Sequence, residues 1–170
     1  MKEFMDSLWS SIDWVGRISF LVLMIGSVIG FVSGVIPVIW RLGRGLGRRK
    51  IALFALADEQ SSLTTLLRDS RVFRAKNIVP IATPNDIAKA AAATVFLVYW
   101  PDFKDHIDSV LDKTKDATAI VIYAPQAKGF LPPDAIQKLE KHRNVMISNF
   151  RGRLLNDLVV SMITTSYEEV

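Results

Sequence analysis

The apolar positions of this chain form one long uninterrupted run near the N-terminus and a series of short runs after it. The long run extends from Ile18 to Trp40 and contains no charged side chain. A helix of about 20 apolar residues crosses the ~30 Å hydrocarbon core of a bilayer, because each residue adds ~1.5 Å. We therefore predict a transmembrane helix at residues 17–40. A cleaved signal peptide is one alternative, but its apolar core is only about 7–15 residues long. The other alternative is a buried helix of a soluble core.

The segments on either side of this run have their own patterns. Residues 1–16 are predicted to form a short amphipathic helix on the membrane surface, with a disordered tail as the alternative, because apolar residues recur at helical spacing: Phe4, Met5, Leu8, Ile12 and Val15. Residues 41–50 contain three closely spaced glycines, which disfavour a helix. We predict a flexible basic connector there, with its cations at the surface of anionic lipid: Arg41, Arg44, Arg48, Arg49 and Lys50.

The distribution of charge predicts the orientation in the membrane. The chain has 21 basic and 17 acidic residues, and residues 1–50 hold 7 of the basic and 3 of the acidic ones. The remaining 14 of each sign balance in residues 51–170, so the net charge of +4 belongs to the anchor region. Lysine and arginine stay on the cytoplasmic side. We therefore expect a single-pass inner-membrane protein with its N-terminus outside and a cytosolic C-terminal domain. Nucleic acid is not an expected partner.

A row of glycines runs along the predicted transmembrane helix. Gly26, Gly30 and Gly34 are four residues apart and so share one helix face. Helices in lipid associate through close packing across small residues. We predict that this row joins identical copies into a homo-oligomer. The alternative is the ordinary abundance of glycine in membrane helices.

Short apolar runs alternate with helical patterns through residues 51–170. Continuous apolar strands are typical of a sheet that is covered on both faces, and strictly alternating strands and helices favour a parallel, doubly wound α/β fold. We predict a Rossmann-like, flavodoxin-like domain with strand order 2-1-3-4-5. The predicted strands are 51–56, 77–81, 94–100, 119–124 and 144–148, and the predicted helices are 61–73, 85–93, 103–114, 132–142 and 153–166.

Polar side chains follow the predicted strands, where ligands of such folds bind at the carboxyl ends. Arginines at this edge suit a phosphate or an acidic partner, so a nucleotide-type ligand is our candidate. The alternative is that these are ordinary polar loops and helix caps. The candidate ligand-binding residues are Asp58, Glu59, Ser61, Thr83, Asn85, Trp100, Asp102, Lys128, Asn149, Arg151 and Arg153.

The sequence offers little recognisable catalytic chemistry. It contains no cysteine, which excludes disulfides and thiol nucleophiles. It also contains neither a Gly-x-Ser-x-Gly elbow nor a phosphate-binding loop of the Gly-x-x-x-x-Gly-Lys-Ser/Thr type. His106 and His142 are predicted to be surface residues. We assign no catalytic residue, no metal and no resident cofactor.

The domain resembles TIR domains and related Rossmann-like signalling modules. The resemblance rests on its length, its short opening strand and the passage from Ile87 to Trp100, Ile-Ala-Lys-Ala-Ala-Ala-Ala-Thr-Val-Phe-Leu-Val-Tyr-Trp. It implies a signalling role for residues 51–165. TIR enzymes that cleave NAD carry a glutamate in the third helix, whereas this chain has Asp105 and Asp108 there. The layout is also similar to that of membrane-anchored, cyclic-oligonucleotide-sensing effectors of prokaryotic defence.

These observations lead to three functional hypotheses. The first is an oligomerising sensor or effector, whose cytosolic domain binds a nucleotide-type ligand or a partner protein and whose assembled helices perturb the membrane, as in antiviral defence. The second is a TIR-like NAD hydrolase on a membrane anchor. The third is a passive scaffold that recruits a partner protein through the last helix, by Leu154, Leu155, Leu158, Val159 and Met162. The alternative for this helix face, which we favour, is burial in the core of the domain.

Overall fold

The computed structural model describes residues 2–165, with side chains described outside residues 2–13, 40–42 and 44–48. The chain divides into two compact units, residues 1–43 and residues 44–170. The first contains most of one long helix, and the second contains an α/β domain.

The long helix, α1, extends without interruption from Lys2 to Arg48 and includes Pro37. Its segment Trp14–Ile39 spans 26 residues, and the described side chains of this segment are exposed. This segment is long and apolar enough to cross a membrane. Because its side chains are exposed, it is not a core helix of the described fold.

The continuity of α1 corrects two predictions. Residues 41–48 are helical, so the prediction of a flexible connector is wrong for them. Residues 2–16 begin this same helix rather than forming a separate one, and the amphipathic pattern predicted for their side chains lies largely outside the described residues. Extending an existing helix avoids the cost of nucleation, and this offsets the roughly 1 kcal/mol that each glycine costs.

Five parallel strands form the sheet of the second unit, as the alternation of apolar runs predicted. The strands are β1 (Ile51–Phe54), β2 (Ile78–Ile81), β3 (Val95–Tyr99), β4 (Ala119–Tyr123) and β5 (Val145–Ser148). Their order is β2-β1-β3-β4-β5. The favoured strand order is therefore confirmed, and it leaves β2 and β5 at the two edges.

The helices differ more from the prediction than the strands do. They are α2 (Ala57–Asp69), α3 (Trp100–Phe103), α4 (Ile107–Leu111), α5 (Pro133–Glu140) and α6 (Arg151–Thr165). The predicted helix at 85–93 is a 3-10 helix, Pro84–Ala92. The single helix predicted at 103–114 is divided into α3, a 3-10 turn and α4, because Phe103 and His106 both have ψ near 0° (8° and 10°). Trp100 begins α3 rather than ending β3.

Two apolar cores cover the two faces of the sheet. Alternate strand residues such as Phe54 and Phe96 pack with α3, α4 and α5 on one face. Their neighbours, such as Leu53 and Leu97, pack with α2 and α6 on the other. On α6, Leu154, Leu158 and Met162 are fully buried, and Leu155 and Val159 pack against the same core. The interpretation of this face as part of the core is therefore confirmed, and these side chains do not form a free surface for a partner protein.

Candidate functional site

The carboxyl edge of the sheet, formed by the loops after the five strands, is the candidate site. The strand order reverses between β1 and β3, because β2 lies on the other side of β1. In open parallel sheets, ligands bind at the carboxyl edge where the order reverses. The loops after β1 and β3 meet at this point, where Leu56 and Asp102 are in contact.

Asp102 joins the two central loops of this edge. Its Oδ2 accepts a hydrogen bond from the backbone N–H of Leu56, with a distance of 2.7 Å. The next residue, Ala57, has a φ of 35°, a left-handed conformation that costs an alanine about 1–2 kcal/mol. Gln60 Nε2 adds a bond to the carbonyl of Ala55 at 3.1 Å. The turn from β1 into α2 is thus a strained backbone fixed by side chains.

Arg151, the first residue of α6, connects the last strand to α2. Its Nη2 donates to Ser62 Oγ at 2.7 Å and to the Ser62 carbonyl at 3.1 Å. Its Nη1 lies 3.4 Å from Glu59 Oε1. A planar guanidinium presents several donors in fixed directions, so one side chain holds two helix N-termini together. The carboxylate of Glu59 leaves this cation partly neutralised.

Two tyrosines end the neighbouring strands β3 and β4 beside this cluster. The ring centroids of Tyr99 and Tyr123 are 5.8 Å apart, and both side chains are buried. Burial raises the pKa of Tyr99, and the negative charges of Glu59 and Asp102 raise it further. Burial also raises the pKa of Tyr123, while Arg151 partly opposes that shift. Both hydroxyls are therefore protonated at physiological pH.

The loop after β4 adds an exposed aromatic side chain to the edge. Trp100 Nε1 donates to the carbonyl of Phe130 at 3.2 Å. At Gly129 an added Cβ would lie 3.2 Å from Pro101 and 3.3 Å from Ala124, so the loop packs closely here. The Phe130 side chain itself is 81% exposed. In the loops after β1 and β5, Leu56 and Phe150 are also exposed.

The structure brings together only part of the predicted set. Glu59 and Arg151 are in contact, Asp102 binds the adjoining loop, and Trp100 is buried as a structural anchor. Thr83 belongs to a separate group after β2, in which its hydroxyl donates to Asp86, an ion-pair partner of Lys89. The other predicted residues are exposed around the edge: Asp58, Ser61, Asn85, Lys128, Asn149 and Arg153.

Several residues of this edge were not among the predicted binding residues. Tyr99 and Tyr123 are each the last residue of an apolar strand. That position could have identified them in the sequence as residues of the carboxyl edge. Phe130 and Phe150 are isolated aromatic residues in polar loops. This contrast with their neighbours could have identified them as candidates for binding. In the described part of the chain, no three acidic or histidine side chains are grouped as metal ligands.

One of the predicted lipid-facing cations has a different position. Arg49 is 8% exposed, and its guanidinium donates to Thr165 at 2.7 Å. The prediction of a membrane-surface role is wrong for this residue, because the structure places it against the end of α6. Lys50 is exposed, and the side chains of Arg41, Arg44 and Arg48 lie outside the described residues.

Comparison of the chain with protein-family models, with curated proteins and with solved structures found no significant match.

The two acidic residues considered for NAD cleavage, Asp105 and Asp108, lie at the surface of the domain. Asp108 forms an ion pair with Lys138 of α5, and Asp105 is exposed. A functional assignment therefore depends on α1 and on the carboxyl edge.

Proposed function

We propose that this protein is a membrane-anchored sensor or effector. Its α/β domain binds a nucleotide-type ligand at the carboxyl edge, and its α1 helices assemble in the membrane and perturb it, as in prokaryotic antiviral defence. The observation that carries this proposal is the pairing of an unburied apolar segment, Trp14–Ile39, with an α/β domain that has its own complete core.

The apolar segment supports a membrane location on energetic grounds. Its large side chains are between 40% and 70% exposed. Each one left in water forgoes roughly 1.5–3 kcal/mol of burial. The domain has no need of these side chains, since both faces of its sheet are already covered. A lipid bilayer removes all of them from water at once.

The chemistry of the carboxyl edge supports a nucleotide as the ligand class. Arg151 presents a guanidinium fork that suits phosphate oxygens, and Glu59 is the internal anion that such a ligand would replace. Phe130 and Phe150 offer exposed aromatic faces on the flanking loops, and a base stacks on such faces with ~1–3 kcal/mol.

Helix α6 supports a route from this site toward the anchor. It begins at Arg151 and ends at Thr165, whose hydroxyl accepts a hydrogen bond from Arg49. Arg49 directly follows the last residue of α1. A ligand shifts an equilibrium only by its difference in affinity for two states. Displacement of Glu59 from Arg151 would provide that difference at one end of α6.

The test is the mass of the full chain in detergent, measured by light scattering with NAD, cyclic di-AMP and cyclic di-GMP. We expect a defined oligomer that forms or reorganises with one of these ligands. Arg151→Ala should remove the response. Arg143→Ala is the matched control, because it deletes the same charge from the loop that precedes β5. A monomer that is indifferent to every ligand would contradict the proposal.

The same samples test the enzymatic alternative. Loss of NAD on incubation, abolished by Asp105→Ala or Asp108→Ala, would replace sensing with hydrolysis. Retention of NAD together with a ligand-dependent mass would favour the sensor.

A further inference from the structure

The two edges of the sheet differ in their capacity to pair with another strand. The β2 edge contains Pro80, which has no N–H to donate. Proline is found at edges because it blocks further pairing there. The β5 edge has the sequence Val-Met-Ile-Ser, with neither proline nor charge. The sequence therefore hinders further strand pairing at the β2 edge but not at the β5 edge.

The hydrogen bonds of β5 show which of its peptide groups face away from the sheet. The carbonyls of Asn144 and Ser148 accept bonds from Ile120 and Ala124 near β4, each at 2.9 Å. A parallel ladder uses alternate residues of a strand. The peptide groups of Val145 and Ile147 therefore point outward, and each offers one N–H and one C=O.

The side chains along this edge are compatible with a close neighbour. Strands β3 and β4 are buried throughout, whereas Val145 and Met146 are half-buried and Ile147 is 37% exposed. No charged residue lies between Asn144 and Phe150. Two such edges placed against each other therefore bring no like charges together.

We propose that the β5 edge pairs with the β5 edge of a second copy of this chain, antiparallel about a two-fold axis. An interface of this kind is self-complementary, because the same residues contribute from both sides. With the axis at Met146, Val145 of one copy lies opposite Ile147 of the other. All four outward groups of each strand then form hydrogen bonds. The pairing joins two five-stranded sheets into one and rests neither on the ligand nor on the glycine row.

A second copy of this chain fits the β5 edge better than a different protein does. A different protein would need its own free strand of matching length, whereas this chain already supplies an identical strand of opposite direction. Strand β5 has only four residues, so the area of this interface is small. A contact of this size is suited to strengthening an assembly that is also held together elsewhere.

The absence of cysteine from the chain allows a test that depends on register. At the two-fold axis, Met146 faces its own copy as a pair without hydrogen bonds, with Cα atoms about 4.5 Å apart. This distance lies within the range that a disulfide bridges. Ile147 and its copy are offset along the strands and lie ~8 Å apart, beyond that range. We therefore compare Met146→Cys with Ile147→Cys in the full chain, purified in detergent and oxidised with diamide.

We expect disulfide-linked dimer from Met146→Cys, several-fold more than from Ile147→Cys. Random collision predicts the opposite order, because Ile147 is the more exposed of the two. Adding Ile147→Pro to Met146→Cys should reduce the amount of dimer, because it removes an outward N–H that donates no hydrogen bond to the described residues. Thermal unfolding of each variant shows whether a smaller amount of dimer is caused by loss of the strand pairing or by loss of the folded domain. Equal crosslinking of the two cysteine variants, or none from a folded Met146→Cys, would overturn the proposal.

Discussion

Arg49 donates a hydrogen bond from Nη1 to Thr165 Oγ1 across 2.7 Å, and both residues are buried. The Thr165 hydroxyl in turn donates to the carbonyl of Ser161 at 2.9 Å. A cation at the C-terminus of a helix interacts favourably with the helix dipole. These contacts attach the residue that follows α1 to the end of α6, 116 positions later in the chain.

The first prediction concerns the strength of this attachment. Thr165→Val keeps the shape of the side chain but removes the acceptor, leaving a buried guanidinium without that partner. We expect the free energy of unfolding to fall by about 1.5–3 kcal/mol, the range for hydrogen bonds to charged groups. Urea denaturation of the full chain in detergent measures it. Thr164→Val is the matched control on the exposed side of the same turn and should change stability by less than about 0.5 kcal/mol. Equal effects of the two variants would show that Arg49 contributes nothing specific.

The second prediction concerns alkaline pH. The folded-state pKa values of Tyr99 and Tyr123 lie above the ordinary value of 10.0, so folding favours the protonated hydroxyls. The stability that they contribute is complete below pH 10 and is lost as the pH rises through the folded-state values. Ultraviolet titration of tyrosinate, compared with Tyr123→Phe, isolates the signal of Tyr123.

Arg151 provides the control for this titration. Its positive charge lowers the pKa of Tyr123, so Arg151→Ala should raise the pKa of that hydroxyl further. Arg153→Ala removes an equal charge from an exposed position two residues away and should leave the Tyr123 titration nearly unchanged. Identical titrations of both variants would mean that Arg151 does not act on Tyr123.

The third prediction concerns the strained turn at the carboxyl edge. Ala57 has a φ of 35°, and glycine adopts such conformations without the steric cost of a Cβ. Ala57→Gly should raise stability by about 0.5–1 kcal/mol, the strain released less the added entropy of the unfolded chain. Ala91→Gly, at an exposed helical position without positive φ, should lower stability by about the same amount. A loss of stability in both variants would show that the turn is not strained.

The sheet was predictable because each strand carries its own evidence. Val95–Tyr99 is buried at all five positions, and only a strand covered on both faces needs such a run. The continuation of α1 was not predictable from its glycines, because a long preceding helix outweighs local propensity. The burial of Arg49 had no local signal either. It stands among similar cations in the sequence, and its partner Thr165 is distant along the chain.

The candidate site was predictable in position but not in detail. Arg151 and Glu59 follow strands and were therefore expected at the carboxyl edge. Their contact depends on the packing of α2 and α6 on the same face of the sheet. Thr83 also follows a strand, and β2 is adjacent to β1, but the Thr83 hydroxyl binds Asp86 of its own segment. The packing of the helices, rather than the strand order alone, thus decides which polar side chains meet.

The fourth prediction concerns the glycine row of α1. Apart from the adjacent backbone of α1 itself, a Cβ added to Gly26, Gly30 or Gly34 meets no described atom within 4 Å. We therefore expect a larger side chain at Gly30 to be opposed by a neighbouring helix rather than by its own copy. Helices that associate through small residues lose close backbone contact when one of these residues is enlarged. We expect Gly30→Leu to abolish the oligomers that form through α1 and to leave no species larger than the dimer of the β5 edge, as measured by crosslinking in membranes.

The control for this prediction is Gly16→Leu, an exposed position on the same helix where an added Cβ likewise meets nothing. It lies 10 residues before Gly26 and outside the four-residue repeat, so it should leave the oligomer intact. Leucine favours helix more than glycine by nearly 1 kcal/mol, so neither variant should weaken α1 itself. Oligomers that persist in Gly30→Leu at the level of Gly16→Leu would show that the glycine row does not join the copies. The association would then have to come from the α/β domain, where the β5 edge is the surface to examine.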